Sequence, residues 1–274
     1  TLSTFADLVA QVGGEYVQVT AIASPAFDPH HIEPKPSDVL RTKRSQLFVH
    51  AGIDLEPWRD ALINASGRAD LRQASSAILD LSVGVRLLQV PTGALSRADG
   101  DVHLYGNPHY WLAPSNALIM LRAIEQRLST LLPEQQAYFA QRRVEFSKRL
   151  EAKEREWQAL LASYHGKQLL GYHDSWPYLM EFLALRMQYF IEPKPGISPS
   201  PKHLEQLQEQ MRSNQIGVIV QESFYPTQAA SSLAKTSAAQ ILLLCQNVAQ
   251  RPECADYIAM MDFNIRSIAE ALSR

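Results

Sequence analysis

Cysteine is scarce: Cys245 and Cys254 are the only two in 274 residues. No framework of several disulfides is open to the chain, and two cysteines this close in sequence permit a bridge without demanding one. An excess of positive charge is missing too. Lys and Arg number 26 against 28 Asp and Glu, a net charge of −2, which argues against a nucleic-acid binder that works by neutralising phosphates. No apolar run approaches the ~18 residues that span a bilayer. No signal peptide is visible, because Thr1-Leu2-Ser3 leads straight into a helix-like pattern. That absence does not imply a cytoplasmic home, because a sequence can begin after a removed signal. The HExxH pair of many zinc hydrolases is also absent.

What is present is an ordinary globular composition, 46% hydrophobic and 20% charged. That supports one large domain or two lobes of about 110–150 residues. A helix is expected over 3–12, stopped by Gly13-Gly14, followed by an alternating, β-branched strand over 16–22. A Pro-rich loop covers 24–36, and Ser37 is the expected N-cap of the next helix. Short strands are expected at 47–49 and 87–90, with a helix from Trp58 between them. A polar loop over 91–106 carries His103. Pro114-Ser115-Asn116 opens a helix with Leu118, Ile119, Leu121, Ile124 and Leu128 at helical spacing. A helix over 133–163 carries Phe139, Phe146, Leu150, Trp157, Leu160 and Leu161 as its stripe and would run about 45 Å. It contains no glycine, hence no obvious hinge. Strands at 168–172, 188–191, 217–220 and 240–244 then alternate with helices at 176–185, 202–211, 227–235 and 256–272. That alternation predicts an α/β fold with parallel sheets, whose ligands sit off the carboxyl ends of strands.

Three histidines follow predicted strands: His30, His109 and His173. His109 follows Pro108 on a stiff turn just before a helix, a setting that suits a metal ligand, whose ring must be held in one orientation. A lone histidine there would be read more simply as a surface or capping residue; three in comparable settings are placed to meet in one cleft. His31 is expected to be a solvated neighbour of His30, His103 to sit on a short loop, and His50, His165 and His203 to be structural or exposed. The four tryptophans read as core or lobe-interface aromatics. Asp28 and Asp174 either orient ligand rings or cap turns. The charged run 142–156 reads as the solvated face of the long helix.

Asp28-Pro29-His30-x-x-Glu33-Pro34-x-Pro36-Ser37-Asp38, Asn107-Pro108-His109-x-Trp111-Leu112-x-Pro114 and Gly171-Tyr172-His173-Asp174 resemble the ligand loops of the cluster 9 (ZnuA/TroA/PsaA-like) metal-binding proteins of bacterial ABC transporters. Glu192-Pro193-x-Pro195-Gly196-Ile197-x-Pro199-Ser200-Pro201 and Val218-Ile219-Val220-Gln221-Glu222 resemble further family segments, so the likeness runs along the whole chain. It implies two Rossmann-like lobes with parallel sheets, 1–132 and 164–274, joined by one long linking helix over 133–163, with the metal in the cleft between them. It implies His30, His109 and His173 as ligands. Manganese-carrying members usually have Glu at the position of His173, so the resemblance tilts the metal toward Zn2+ and away from Mn2+. The pattern departs at the fourth ligand: residues 244–250 hold no carboxylate before Glu253. Glu222 or a water is the first choice, with Gln246 and a reduced Cys245 behind. The implied protein is not an enzyme but a monomeric periplasmic or extracytoplasmic receptor that hands a divalent metal ion to a membrane permease. In that compartment Cys245 and Cys254 are expected to form a disulfide. The alternatives are a manganese receptor of the same type, a zinc hydrolase using three His and an open position, and a surface adhesin.

Overall fold

A computed structural model describes residues 1–72, 75–93 and 103–274. Helix α1 (Ser3–Gly13) buries Phe5, Leu8, Val9 and Val12 on one stripe and stops where Gly14 turns left-handed, φ 55°. Helix α2 (Pro36–Arg44) opens on Pro36, with Asp38 reaching back to accept from the Lys35 backbone N–H at 2.8 Å. The N-cap is therefore Lys35, and Ser37, the expected cap, lies inside the first turn. Strand β1 (Phe48–His50), α3 (Arg59–Ser66) and β2 (Ile78–Asp80) follow. Helix α4 (Pro114–Leu131) leads into α5 (Gln136–Leu161), 26 residues or about 39 Å long. The rest is β3 (Gln168–Gly171), α6 (Pro177–Phe182), β4 (Arg186–Phe190), α7 (Pro201–Ser213), β5 (Val218–Glu222), α8 (Thr227–Ser237), β6 (Gln240–Leu244) and α9 (Tyr257–Leu272). Among the described residues the strands form two parallel sheets, β1-β2 before α5 and β4-β3-β5-β6 after it. The architecture is α/β, as expected.

Two expected strands are not formed. Over 16–22 the chain leaves the 3-10 turn Gly14–Tyr16 and runs on as backbone that joins no strand ladder. Thr1 lies between this segment and β1: its carbonyl accepts from Ile22 N–H at 2.9 Å, and its nitrogen donates to the Val49 carbonyl at 2.7 Å. The hydrogen bonds a ladder would need are thus already used. At 87–90 the Leu88 N–H donates to the Tyr178 hydroxyl at 3.0 Å and Gln89 takes φ 53°, which ends any extended run. Conversely, β2 arises from a three-residue stretch too short to show a period. Within the loop expected over 91–106, residues 94–102 lie outside the described residues.

The main core crosses from one sheet to the other. Phe139, Phe146, Leu150, Trp157 and Leu161 of α5 belong to one buried core with side chains of α1, α4, β3, α6 and α9. Each such large apolar side chain contributes about 1.5–3 kcal/mol by burial. Lys153 and Trp157 of α5 both reach Asp262 of α9 at 2.9 Å, and Arg266 pairs with Glu156. A smaller core lies on the outer face of the second sheet, around Leu170, Ile219, Leu207 and Leu233. Because this sheet is parallel, its carboxyl edge collects His173 after β3, Glu192 after β4, Glu222 at the end of β5 and Gln246 after β6.

Candidate metal centre

Two of the three ligand loops repeat one local device. In Asp28-Pro29-His30 the Asp28 Oδ1 accepts from the His30 backbone N–H at 2.9 Å and lies 2.6 Å from the same residue's Nδ1. In Asn107-Pro108-His109 the Asn107 Oδ1 accepts from the His109 backbone N–H at 3.0 Å and lies 3.1 Å from its Nδ1. Each is an Asx-type turn: the short side chain reaches two residues on, and the proline between fixes φ and offers no competing N–H. Trp58 Nε1 donates to the Pro29 carbonyl at 2.9 Å and anchors the first loop. Asn107 Nδ2 donates to Gln89 Oε1 at 2.9 Å and to the Asp174 carbonyl at 2.7 Å, tying the second loop to the third. His173 is held by Glu192, whose Oε2 sits 2.7 Å from Nδ1. Tyr225 stacks on the His173 ring, centroids 5.8 Å apart, and donates to Asp28 Oδ2 at 3.2 Å.

All three rings thus present Nδ1 to an oxygen acceptor, which assigns the proton to Nδ1 and leaves the lone pair on Nε2. Ring centroids lie 5.2 Å apart for His30–His109 and 5.6 Å for His30–His173 and His109–His173. One donor atom from each of the three comes within 4.8 Å of the others. His109 is fully buried and its Nε2 has no hydrogen-bond partner. A bare buried imidazole nitrogen of this kind is available to an ion or a water. The cleft beside it measures about 300 Å³ and is lined by His103, His109, His173, Asn107 and Glu192. A larger cavity of about 1340 Å³ lies against β2 and α4, lined by Arg59, Arg72, Arg122 and Arg127, with His50 its single imidazole.

The charges are graded across the site. Burial, followed by the neighbouring imidazoles of His30 and His173, holds His109 well below the ordinary histidine range. Burial and the same two rings bring His103 down to about 3. For His173 burial pulls down as well, but the hydrogen bond to Glu192 and the charges of Glu222, Glu192 and Asp28 together outweigh it and raise the ring. Burial alone would raise Asp28, yet its hydrogen bonds and charge pairing with His30 keep it well below the usual carboxylate range.

The three expected histidines come together. Glu222 stands outside that compact group, and Gln246 Nε2 donates to Glu222 Oε1 and to Ser175 Oγ, both at 2.7 Å. Burial pushes the Glu222 carboxyl up, and Glu222 Oε2 and Gln246 Oε1 are buried without partners. Cys245 and Cys254 are buried thiols with sulfurs 2.7 Å apart. His31 and His165 are exposed, whereas His50 is buried at the end of β1, where Gly52 N–H donates to its Nδ1 at 3.0 Å. His203 is half-buried, with Nε2 2.9 Å from the Phe190 carbonyl. Of the two aspartates expected to orient rings, Asp28 does so and Asp174 serves through its backbone carbonyl. Sequence reasoning missed Asn107 and Glu192 as ring holders, Tyr225 as the link between loops, and His103 as a neighbour of His30. The repeated Asx-Pro-His was the signal for Asn107. A carboxylate directly after a strand, Glu192-Pro193, was the signal for Glu192.

Comparison with known proteins gives a consistent picture. The family model described as "ZnuA: Zinc-uptake complex component A periplasmic" matches residues 1–271. The metal ABC transporter substrate-binding lipoprotein ScbA of Streptococcus cristatus is 24% identical, covering 100% of this chain and 88% of that protein. The manganese ABC transporter substrate-binding lipoprotein PsaA of Streptococcus pneumoniae is 22% identical, covering 100% of this chain and 88% of that protein. A crystal structure of ZnuA superposes with a TM-score of 0.83 at 22% identity, covering 99% of this chain and 96% of the other.

Proposed function

This chain belongs to the family of the periplasmic zinc-uptake complex component A, and from that premise we propose that it is an extracytoplasmic receptor that captures zinc and delivers it to the permease of an ABC transporter. The family is one of metal-binding ABC transporter receptors, and its relatives are named for different metals. The observation that carries zinc is the donor set: three imidazoles, each with Nδ1 held by an oxygen, converge in one buried group. Neutral nitrogen donors in a closed site suit zinc at about 2.0–2.1 Å, while manganese favours more oxygen. The fourth position falls to a donor outside this trio. We assign His30, His109 and His173 as ligands and Asp28, Asn107 and Glu192 as the residues that position them.

The test is titration of metal-stripped protein with zinc and with manganese. One zinc per chain, bound in preference to manganese, is the expected result. His109→Ala should weaken zinc binding at least about tenfold, because even loss of a supporting residue has that effect. Parent affinity in His109→Ala overturns the ligand assignment, and preferential manganese uptake overturns the choice of metal.

A further inference from the structure

We infer that His103 supplies a fourth imidazole to this centre, which makes the loaded site an all-nitrogen one; the inference rests on the metal site proposed above. His103 Nε2 lies 3.1 Å from His30 Nε2. Four donors at 2.0–2.1 Å around a tetrahedral ion stand about 3.3–3.4 Å apart, so this pair is already close to the spacing that zinc imposes. The His103 ring sits 5.1 Å from His30, as close as any pair within the trio, and 6.3 Å from His109, somewhat farther out. The Asp54 backbone also bonds the His103 ring and helps to fix it beside His30.

The compact group holds only the trio, so His103 enters from beside His30 and closes by a short movement of its own. Gly106 provides the local geometry. Its φ is 119°, and a Cβ there would meet the Leu88 carbonyl at 2.8 Å, so only glycine lets the chain carry His103 past this point and still place His109. Glu222, the rival carboxylate, stands outside the compact group and holds Gln246 Nε2 through Oε1, with Oε2 left unpaired. A fourth neutral imidazole adds no charge to the ion's surroundings. The balancing negative charge then comes from Asp28 and Glu192, which hold the rings from behind. Such a set discriminates against oxygen-seeking cations such as manganese, magnesium and calcium.

Cobalt(II) serves as the probe, because each imidazole bound to it gives its own strongly shifted exchangeable ring N–H signal in proton NMR. The parent protein loaded with cobalt should show four such signals and the intense visible bands of a tetrahedral ion. His103→Ala should show three, still bind one metal per chain, and bind zinc at least about tenfold more weakly. His103→Gln, which keeps a polar side chain of similar reach, should also show three. Three signals in both the parent and His103→Ala, with unchanged zinc affinity, would remove His103 from the site and leave the zinc-receptor reading standing. Absence of any shifted imidazole signal in the parent would overturn the receptor site itself.

Discussion

An imidazole binds a metal ion only when neutral, so every ligand in this site competes with a proton. His109 has lost that competition in advance: burial and its neighbours keep it uncharged across the physiological range. His173 is the opposite case. Its pKa is raised above 6.5 by Glu192, Glu222 and Asp28 against the pull of burial. Below that raised value the ring holds a proton that an incoming ion must displace; above it the ring is free. Zinc affinity should therefore be full at alkaline pH and fall as pH drops through the raised His173 value, by about tenfold per unit per displaced proton. Zinc titrations across pH, in buffers of different ionisation enthalpy, should show close to one proton released per ion on the acid side. In Glu192→Gln the decline should begin at lower pH, and an identical profile would show that another group is titrating. Of the three proposed ligands, His30 and His109 were legible because each directly follows a proline on a stiff turn, and His173 because it follows a strand end. Their holders were less so. Glu192 meets His173 only once β3 and β4 lie side by side, a pairing across 19 positions that no local pattern encodes.

At the scale of elements, helices with a strong stripe or a defined stop were readable, α1, α4, α5 and α9 above all, and so were the four strands of the second sheet. The misreadings at 16–22 and 87–90 share a cause. Both segments look like strands, but other groups take the hydrogen bonds that a neighbouring strand would have needed. The turn between β6 and α9 carries the remaining question. Asn264 of α9 clasps Cys245 twice, accepting from its N–H at 2.8 Å and donating to its carbonyl at 2.7 Å. Cys254, in the 3-10 turn Pro252–Cys254, brings its sulfur to 2.7 Å from that of Cys245. With both backbones fixed and the sulfurs in contact, oxidation needs little rearrangement. The bridge would close a loop of about ten residues and add roughly 2.5–3 kcal/mol on chain-entropy grounds. Protein recovered from an oxidising compartment, alkylated without reduction and weighed, should carry no label on either cysteine. Two labelled thiols would refute the bridge, and labelling blocked only while zinc is bound would point to Cys245 as a metal ligand.

For the whole molecule, the long helix and its surroundings decide how the lobes respond to an ion. Large domain closures need a few residues able to absorb a wide change in φ and ψ. Residues 136–161 are continuous helix without glycine or proline, and the 3-10 turns at either end extend the same path. A stiff linker alone would not prevent the lobes from rocking. The continuous core adds a second restraint, since α9 follows the second sheet in sequence yet packs on α1 and α5, and α6 packs near the Tyr110–Leu112 turn. Trp111 Nε1 donates to the Gln246 carbonyl at 2.8 Å, and the Tyr257 hydroxyl donates to the Trp111 carbonyl at 2.7 Å, so the start of α4 is tied to the far side of the chain. Opening the cleft widely would break these buried bonds and expose apolar surface at about 25 cal/mol per Å². Metal capture is therefore expected to be local: side chains and short loops such as the one bearing His103 move, while the lobes stay put. Small-angle scattering of metal-free and zinc-loaded protein should give superimposable curves, while hydrogen exchange should slow on loading at the loops around His30, His103, His109 and His173. A drop in radius of gyration of the size seen in clamshell closure would show that the core between the lobes yields, and that α5 bends where its sequence offers no hinge.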